Sequence, residues 1–282
     1  MDAFQLTATS GSAATTAGKS SLQQLHGPKD VSAAQQAAAF SHSTNSLMNG
    51  IIALHTLHRA THSRAVTARL LELLTILCDK AVIGQDVYLN YDDSWRPVGK
   101  NNMPVNMIKY GQSLQLPWVV ADALTDLAAA GTLPAARAEQ RIAKMEGVAA
   151  KALQLGLDQQ YGGVFEYGLL PDQPGKGAYK LWYVHCEAIN ALQWLASRAA
   201  GEKSSSQQSS YQELLQRTMN FTAAALYDWK FGEMFISATR EGLPIPDGGL
   251  HAFVKGENWK GAYHSGRMVV NLQRWRNSWC TR

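Results

Sequence analysis

Cysteine is scarce in this 282-residue chain, and the three present, Cys78, Cys186 and Cys280, are odd in number and widely spaced. They imply no disulfide framework, and a reducing, cytoplasmic compartment is the expected location. No apolar run approaches the ~18 residues that cross a bilayer, so no membrane partner is expected. The first forty residues lack the charged start and apolar core of a secretory signal and the arginines of a transit peptide. G-x-G-x-x-G, the P-loop lysine motif and G-x-S-x-G are all missing. A nucleotide fold and a serine hydrolase therefore have no support. H-E-x-x-H is missing too. His55, His58 and His62 share one helix at i, i+3 and i+7. No cysteine or carboxylate flanks them, and structural zinc needs a fourth ligand, so no metal is expected. A concentrated basic patch is likewise lacking: the formal net charge is +4 and the pI about 8.9. Arg267, Arg274, Arg276 and Arg282 cluster at the C-terminus around Trp275 and Trp279. That pattern reads as a solvated helix face with tryptophan docked inward, and no nucleic-acid partner is expected.

What is present is helical periodicity. With 46% hydrophobic residues the chain can bury a large core. Residues 1–40, rich in Ala, Ser, Thr and Gln, read as a low-complexity, disordered tail, and residues 41–282 as the folded domain. Val66, Leu70, Leu73, Leu74 and Leu77 recur at the spacing of one buried helix face. Trp118 to Ala130, Ala135 to Leu155, Trp182 to Arg198 and Tyr211 to Trp229 follow the same pattern, with Ser204 to Ser210 as a polar loop. The count is about seven helices. Between them lie three strand-like segments, from Val87, Gly163 and Met234, each ending in a turn rich in Gly, Pro and Asp. These predict short local hairpins. A lysine opens the helix after each segment: Lys109, Lys180 and Lys260, 71 and 80 residues apart. A polar residue follows each lysine, namely Gln112, His185 and His264. Such a repeat predicts a toroid of paired helices whose loop-adjacent polar residues surround one pocket.

Two stretches, Lys180 to Glu187 and Lys260 to Arg267, place a histidine beside aromatic rings where a loop gives way to a helix. Two imidazoles facing one pocket can remove a proton from one face of a carbon and return it on the other. This is sugar epimerase or isomerase chemistry, with a small-molecule sugar as partner. Glu233, in a loop, would contact a sugar hydroxyl, Glu187 would line the pocket where the helix begins, and Trp182, Tyr183, Trp259 and Tyr263 could stack on a sugar ring. Glu187 and Glu233 are also the one attractive carboxylate pair for a glycoside hydrolase, a lower-ranked reading.

These segments resemble the N-acylglucosamine 2-epimerase family. Lys180 to Leu192, KLWYVHCEAINAL, is similar to the family's K-L-W-W-x-H-x-E-A segment. GLDQQYGGVF from Gly156 resembles its G-x-D-x-x-x-G-G, and FGEMF from Phe231 its G-E-W-F. KGENWKGAYHSGR from Lys255 resembles its K-G-x-x-x-K-G-x-x-H-x-x-R. With Asn45 and the Tyr110, Gly111, Gln112 triplet, the likeness runs from about residue 41 to about residue 276.

The resemblance implies an all-α, (α/α)6-barrel-type, six-hairpin toroid, here with about seven of twelve helices and short β-hairpin loops on one rim. It implies an isomerase interconverting N-acylglucosamine and N-acylmannosamine at carbon 2 of the open-chain sugar. His185 and His264 would be the paired acid and base. Asn45, Tyr110, Gln112, Lys180, Trp182, Glu187, Glu233 and Arg267 would hold the substrate. No cofactor is implied, although ATP is an effector of several members. In the family's Y-G-H-x-x-E the chain has Gln112 and Gln115 where the ionisable groups stand, and Asn49 and Ile52 replace a histidine and a glutamate near Asn45. The family's first helices, with an arginine that handles the ring oxygen, have no counterpart. A homodimer covering the open side, or a non-catalytic carbohydrate- or protein-binding relative, is the alternative expectation.

Overall fold

The computed structural model describes residues 41–100, 103–176, 179–201, 204–243, 245, 255–256 and 260–280. Residues 1–40, Trp259 and Arg282, and the side chains of Arg276 and Trp279, lie outside this set.

Seven α-helices occur among the described residues. They are α1 (Thr44–Thr61), α2 (Arg64–Ile76), α3 (Tyr110–Ala129), α4 (Ala135–Gly156), α5 (Trp182–Gly201), α6 (Ser205–Phe221) and α7 (Ala262–Cys280). Ser43 caps α1, its hydroxyl accepting the Ser46 N–H at 3.1 Å, which satisfies one of the open donors of the first turn. Leu47, Met48, Ile51, His55 and His58 then form its buried stripe. Of the expected face, Leu70 and Leu74 on α2 and Leu77 in the π turn that follows it (Leu77–Ala81) are fully buried, each worth about 1.5–3 kcal/mol of transfer free energy, while Val66 and Leu73 are half-buried.

Burial sorts the helices into two layers. α3 buries fourteen of its twenty residues and α5 fifteen of twenty, whereas α6 buries three of seventeen. A helix apolar on nearly every side must lie inside, and one with a narrow stripe outside. α1, α3, α5 and α7 pack on one another in series, with α2, α4 and α6 laid against them. The result is an arc of paired helices whose inner wall is α1, α3, α5 and α7.

Two expectations about the connections are corrected. Ser205 to Ser210 is the start of α6 and not a loop; the Leu215, Thr218 and Phe221 stripe is enough to dock an outer helix whose other faces are polar. That helix ends at Phe221, runs through one π turn (Thr222–Leu226), and stops where Asp228 accepts the N–H groups of Lys230 and Phe231. The local hairpins are also only part of the strand pattern. β2 (Val82–Ile83) and β3 (Asp86–Val87) pair locally, as do β6 (Tyr167–Leu169) and β7 (Gln173–Lys176). The other ladders join the two ends of one helix pair. β1 (His42–Ser43) pairs with β4 (Asn90–Tyr91), β5 (Met107–Lys109) with β6, and β8 (Tyr179–Leu181) with β9 (Ser237–Thr239). A helix hairpin returns its exit beside its entry, so the free backbone groups there meet each other first.

Ladder register also resets the repeat. Tyr110 N–H donates to Glu166 O at 3.0 Å, and Trp182 N–H to Ile236 O at 2.9 Å. Equivalent bridges join Leu157 to Val164 and Tyr227 to Met234. Tyr110 therefore corresponds to Trp182, Gln115 to Glu187, and Ser113, rather than Gln112, to His185. The matching of Lys109 with Lys180 was out by one residue, which on a helix turns a side chain by about 100°. In the next repeat it is Lys255 that makes the contacts of Lys180. Lys180 Nζ donates to Asp158 Oδ2 and Gly162 O, and Lys255 Nζ bonds Asp228 Oδ2 and Gly232 O in the same way.

Candidate active site

Glu187, the sixth residue of α5, is fully buried and sits at the centre of a polar cluster. Its Oε1 accepts from His264 Nδ1 at 2.6 Å and Arg267 Nη2 at 2.8 Å. Its Oε2 accepts from Trp118 Nε1 at 3.1 Å and Asn190 Nδ2 at 3.3 Å. An ionised carboxylate offers about four lone-pair sites, and four donors fill them. No acceptor remains for a sugar hydroxyl, so the expected substrate contact of Glu187 is replaced by a positioning one. The Nδ1–H of His264 is committed to Glu187, which fixes the tautomer and leaves Nε2 as the basic nitrogen.

Aromatic rings frame this imidazole. Tyr263, Tyr183 and Trp182 have ring centroids 4.7, 5.3 and 6.3 Å from His264. The Arg267 guanidinium lies between Tyr263 and Trp118, 4.1 and 4.7 Å from their centroids, which supports its charge on two π faces. Gln115 reaches across from α3 to donate to the Tyr263 hydroxyl at 3.0 Å. A groove of about 630 Å³ between α1, α3 and α7 meets the cluster at Trp118 and Arg267.

His185 stands elsewhere. It is fully buried; Nδ1 donates to Leu181 O at 2.8 Å and Nε2 accepts from Val164 N–H at 3.1 Å. Its ring stacks on Phe221 at 5.1 Å. Burial pushes its pKa down to about 4, against the hydrogen bond to Leu181 O. Both nitrogens are occupied by backbone, and His185 shares no contact with His264. Among the described residues, His185 thus takes its place on Phe221 and the Val164 backbone, and His264 its place on Glu187.

The remaining expected residues scatter by role. Trp182 is buried against His264, with Nε1 unpartnered. Lys180 is fully buried beneath the turn after α4, where its Nζ also donates to Arg240 O at 2.7 Å. Tyr110 is core: a side chain at Gly156 or Gly168 would collide with it, and burial raises its pKa. Gln112 is half-buried, and Asn45 is exposed and bonded to Asn49. Glu233 takes a left-handed φ of 65°, bonds its own neighbour's Met234 N–H at 2.7 Å and lies 3.3 Å from Lys260 Nζ. Through Lys260, whose Nζ lies 6.0 Å from the centroid of the Trp182 ring, it stands beside the aromatic frame of His264. Arg267 turns inward to Glu187, whereas Arg274 stays exposed and pairs with Asp122, and Trp275 docks on Trp118 as expected. His55 bonds Asp126 and His58 bonds Thr67.

The model of one family, N-acylglucosamine 2-epimerase, matches residues 13–242. The chain belongs to this family. Solved structures agree on the fold. A sugar epimerase from a ruminal bacterium superposes with a TM-score of 0.65 at 17% identity, covering 88% of this chain and 57% of that one. Cellobiose 2-epimerase from Bacillus thermoamylovorans B4167 gives 0.64 at 14%, covering 83% and 54%. D-Mannose isomerase gives 0.63 at 17%, covering 82% and 56%. The chain thus has the α/α-barrel fold and spans little more than half the length of these structures. No curated protein matches it significantly in sequence.

For this family member the sequence motifs located Glu187, His264 and Arg267, but passed over Trp118, Asn190 and Asn271 as pocket residues. Asn271 donates to Asn190 at 3.2 Å, extending the cluster one turn down. Their signal was a polar or indole side chain three or four residues after Gln115, Glu187 and Arg267 on helices otherwise apolar, which is same-face spacing. No helix among the described residues is long and apolar enough to cross a membrane.

Proposed function

We propose that the pocket receives the open-chain form of an aldose and that His264 moves the proton at carbon 2. The observation that carries this is the saturated Glu187, which commits one nitrogen of His264 and leaves the other free as acid and base. Beside the aldehyde the carbon 2 proton is acidic, and its removal leaves an enediolate. Arg267, next to His264 on Glu187, supplies positive charge for that anion. Tyr263, exposed beside His264, offers a face for the sugar, and imidazole suits proton transfer in both directions near neutral pH.

The family resemblance carries a finer reading, 2-epimerisation between N-acylglucosamine and N-acylmannosamine with His185 as the second base. Its support is the motif; the backbone bonds of His185 weigh against it. A sugar-binding role without turnover has one feature in its favour, the uncharged Gln112 and Gln115.

The test is hydrogen exchange. N-acetylglucosamine and D-mannose are incubated with the full chain in heavy water, and the carbon 2 proton signal is followed by NMR. Wild type should lose the signal, His264→Gln should not, and Glu187→Gln should exchange about a hundredfold more slowly with KM little changed. Exchange that survives in His264→Gln defeats the proposal. No exchange in wild type selects the binding role.

A further inference from the structure

We infer that the groove between the end of α2 and the start of α4 binds the phosphate group of a small ligand, independently of the chemistry of His264. The groove encloses about 640 Å³, and Asp79, Ala136, Arg137, Gln140, Arg141 and Lys144 line it. Arg137, Arg141 and Lys144 stand at i, i+4 and i+7 of α4, which places all three on one helix face. Arg141 is 5% exposed. Its bonds to Asp79 Oδ2 at 2.8 Å and Thr75 Oγ1 at 3.2 Å both leave from Nη2. Neither bond uses Nε–H or the Nη1 hydrogens, and a planar guanidinium can hold an oxyanion on more than one edge. Lys144 Nζ donates to Cys78 O at 2.6 Å and Val82 O at 2.7 Å, which occupies two of the three hydrogens of its ammonium.

Charge and helix polarity point the same way. Three cations line the groove against the one carboxylate of Asp79, an excess of two positive charges. Arg137 is the outermost of them, with Nη2 3.8 Å from Asp79 Oδ2 and a side chain 57% exposed. α4 begins at Ala135 after Pro134, with no side-chain cap and no acidic residue in its first turn. The N–H groups of Arg137 and Ala138 bond Pro134 O, and the donor of Ala136, on the groove, is one of those a helix start leaves open. The N-terminal end of a helix carries partial positive charge and favours anions. Here it carries Arg137 in the first turn and Arg141 one turn further on. Cations gathered at the positive pole of a 22-residue helix destabilise the empty site, and an anion seated among them offsets that cost. A phosphate dianion matches the excess charge, and its tetrahedral oxygens suit the forked donors of two arginines and the point charge of a lysine. The volume leaves room for the organic group that carries the phosphate.

The experiment titrates the full chain at pH 7 with inorganic phosphate, glucose 6-phosphate and tripolyphosphate, each against sodium chloride of equal ionic strength, by calorimetry and thermal unfolding. Phosphate should bind and raise the unfolding midpoint by roughly 3 °C or more at ten times its Kd. The tightest of the three probes identifies the source of the phosphate group as the free ion, a sugar phosphate or a polyphosphate. Arg137→Glu reverses an exposed charge and should weaken phosphate binding by about tenfold or more. Asp79→Asn removes the competing carboxylate, whose side chain is 45% exposed. That variant should be less stable without phosphate, yet bind it up to about fivefold more tightly. A purely structural pairing of Arg141 with Asp79 gives the first effect without the second. Stabilisation no greater than that from chloride would overturn the inference. Wild-type phosphate affinity in Arg137→Glu, or unchanged or weaker affinity in Asp79→Asn, would overturn it as well, since the anion would then sit elsewhere.

Discussion

Acidification should weaken this protein through one imidazole. His185 is neutral in the folded state, because Nε2 must accept from Val164 N–H and a proton there would set donor against donor. Burial pushes its pKa from 6.5 to about 4. Between those values the unfolded chain binds a proton that the folded chain does not, so stability falls as pH drops below 6.5 and levels off near 4. At 1.36 kcal/mol for each pH unit of that interval, the loss between pH 7 and pH 4 is about 3 kcal/mol from this one group. That is a large part of the 5–15 kcal/mol typical of a folded domain. Urea denaturation at pH 7, 6, 5 and 4 measures it, with His185→Gln as the non-titrating comparison. The variant should start less stable and lose less on acidification, its slope lower by up to one proton. An unchanged slope, or an NMR titration of the His185 ring with a midpoint near 6.5, would refute its burial between Leu181 and Val164 and reopen its role as a base.

Two further outcomes test how the rim is held. Gly163 has φ 70°, and a methyl there would lie 2.6 Å from His185 Nε2 and 2.7 Å from Phe221, whereas Gly232, at φ 75° in the equivalent turn, faces open space. Gly232→Ala should cost about 1–2 kcal/mol of backbone strain and Gly163→Ala at least about 1 kcal/mol more from the collision; equal losses in thermal or urea unfolding would show that the contact is absent. Lys180→Met should remove about 2–4 kcal/mol by stranding the buried Asp158 carboxylate, with Arg240, 2.8 Å away, limiting the damage. A loss under about 1 kcal/mol would mean that Arg240 alone satisfies Asp158.

The helices were legible in the sequence because their cause is local. Leu70, Leu74 and Leu77 repeat at the helical period, and Asp158 and Asp228 each precede a glycine by four residues, the chemistry of the turn that closes each outer helix. The motif around His264 and Arg267 identified the catalytic candidates for the same reason: their spacing of three puts both on one face of α7. Direction was a tertiary matter. Whether His185 or Glu187 faces the inner wall depends on where α5 begins relative to the ladder of β8 with β9, a pairing of residues 56 to 60 positions apart. The spacing of lysines along the chain carries no record of that register, and one residue of slip turns a side chain by about 100°. Likewise Glu187 reads as a sugar ligand until the fold brings Trp118 from α3 and Arg267 from α7 onto its oxygens. The chain's local chemistry determined which groups could act; the packing of α3, α5 and α7 decided which of them kept a free lone pair.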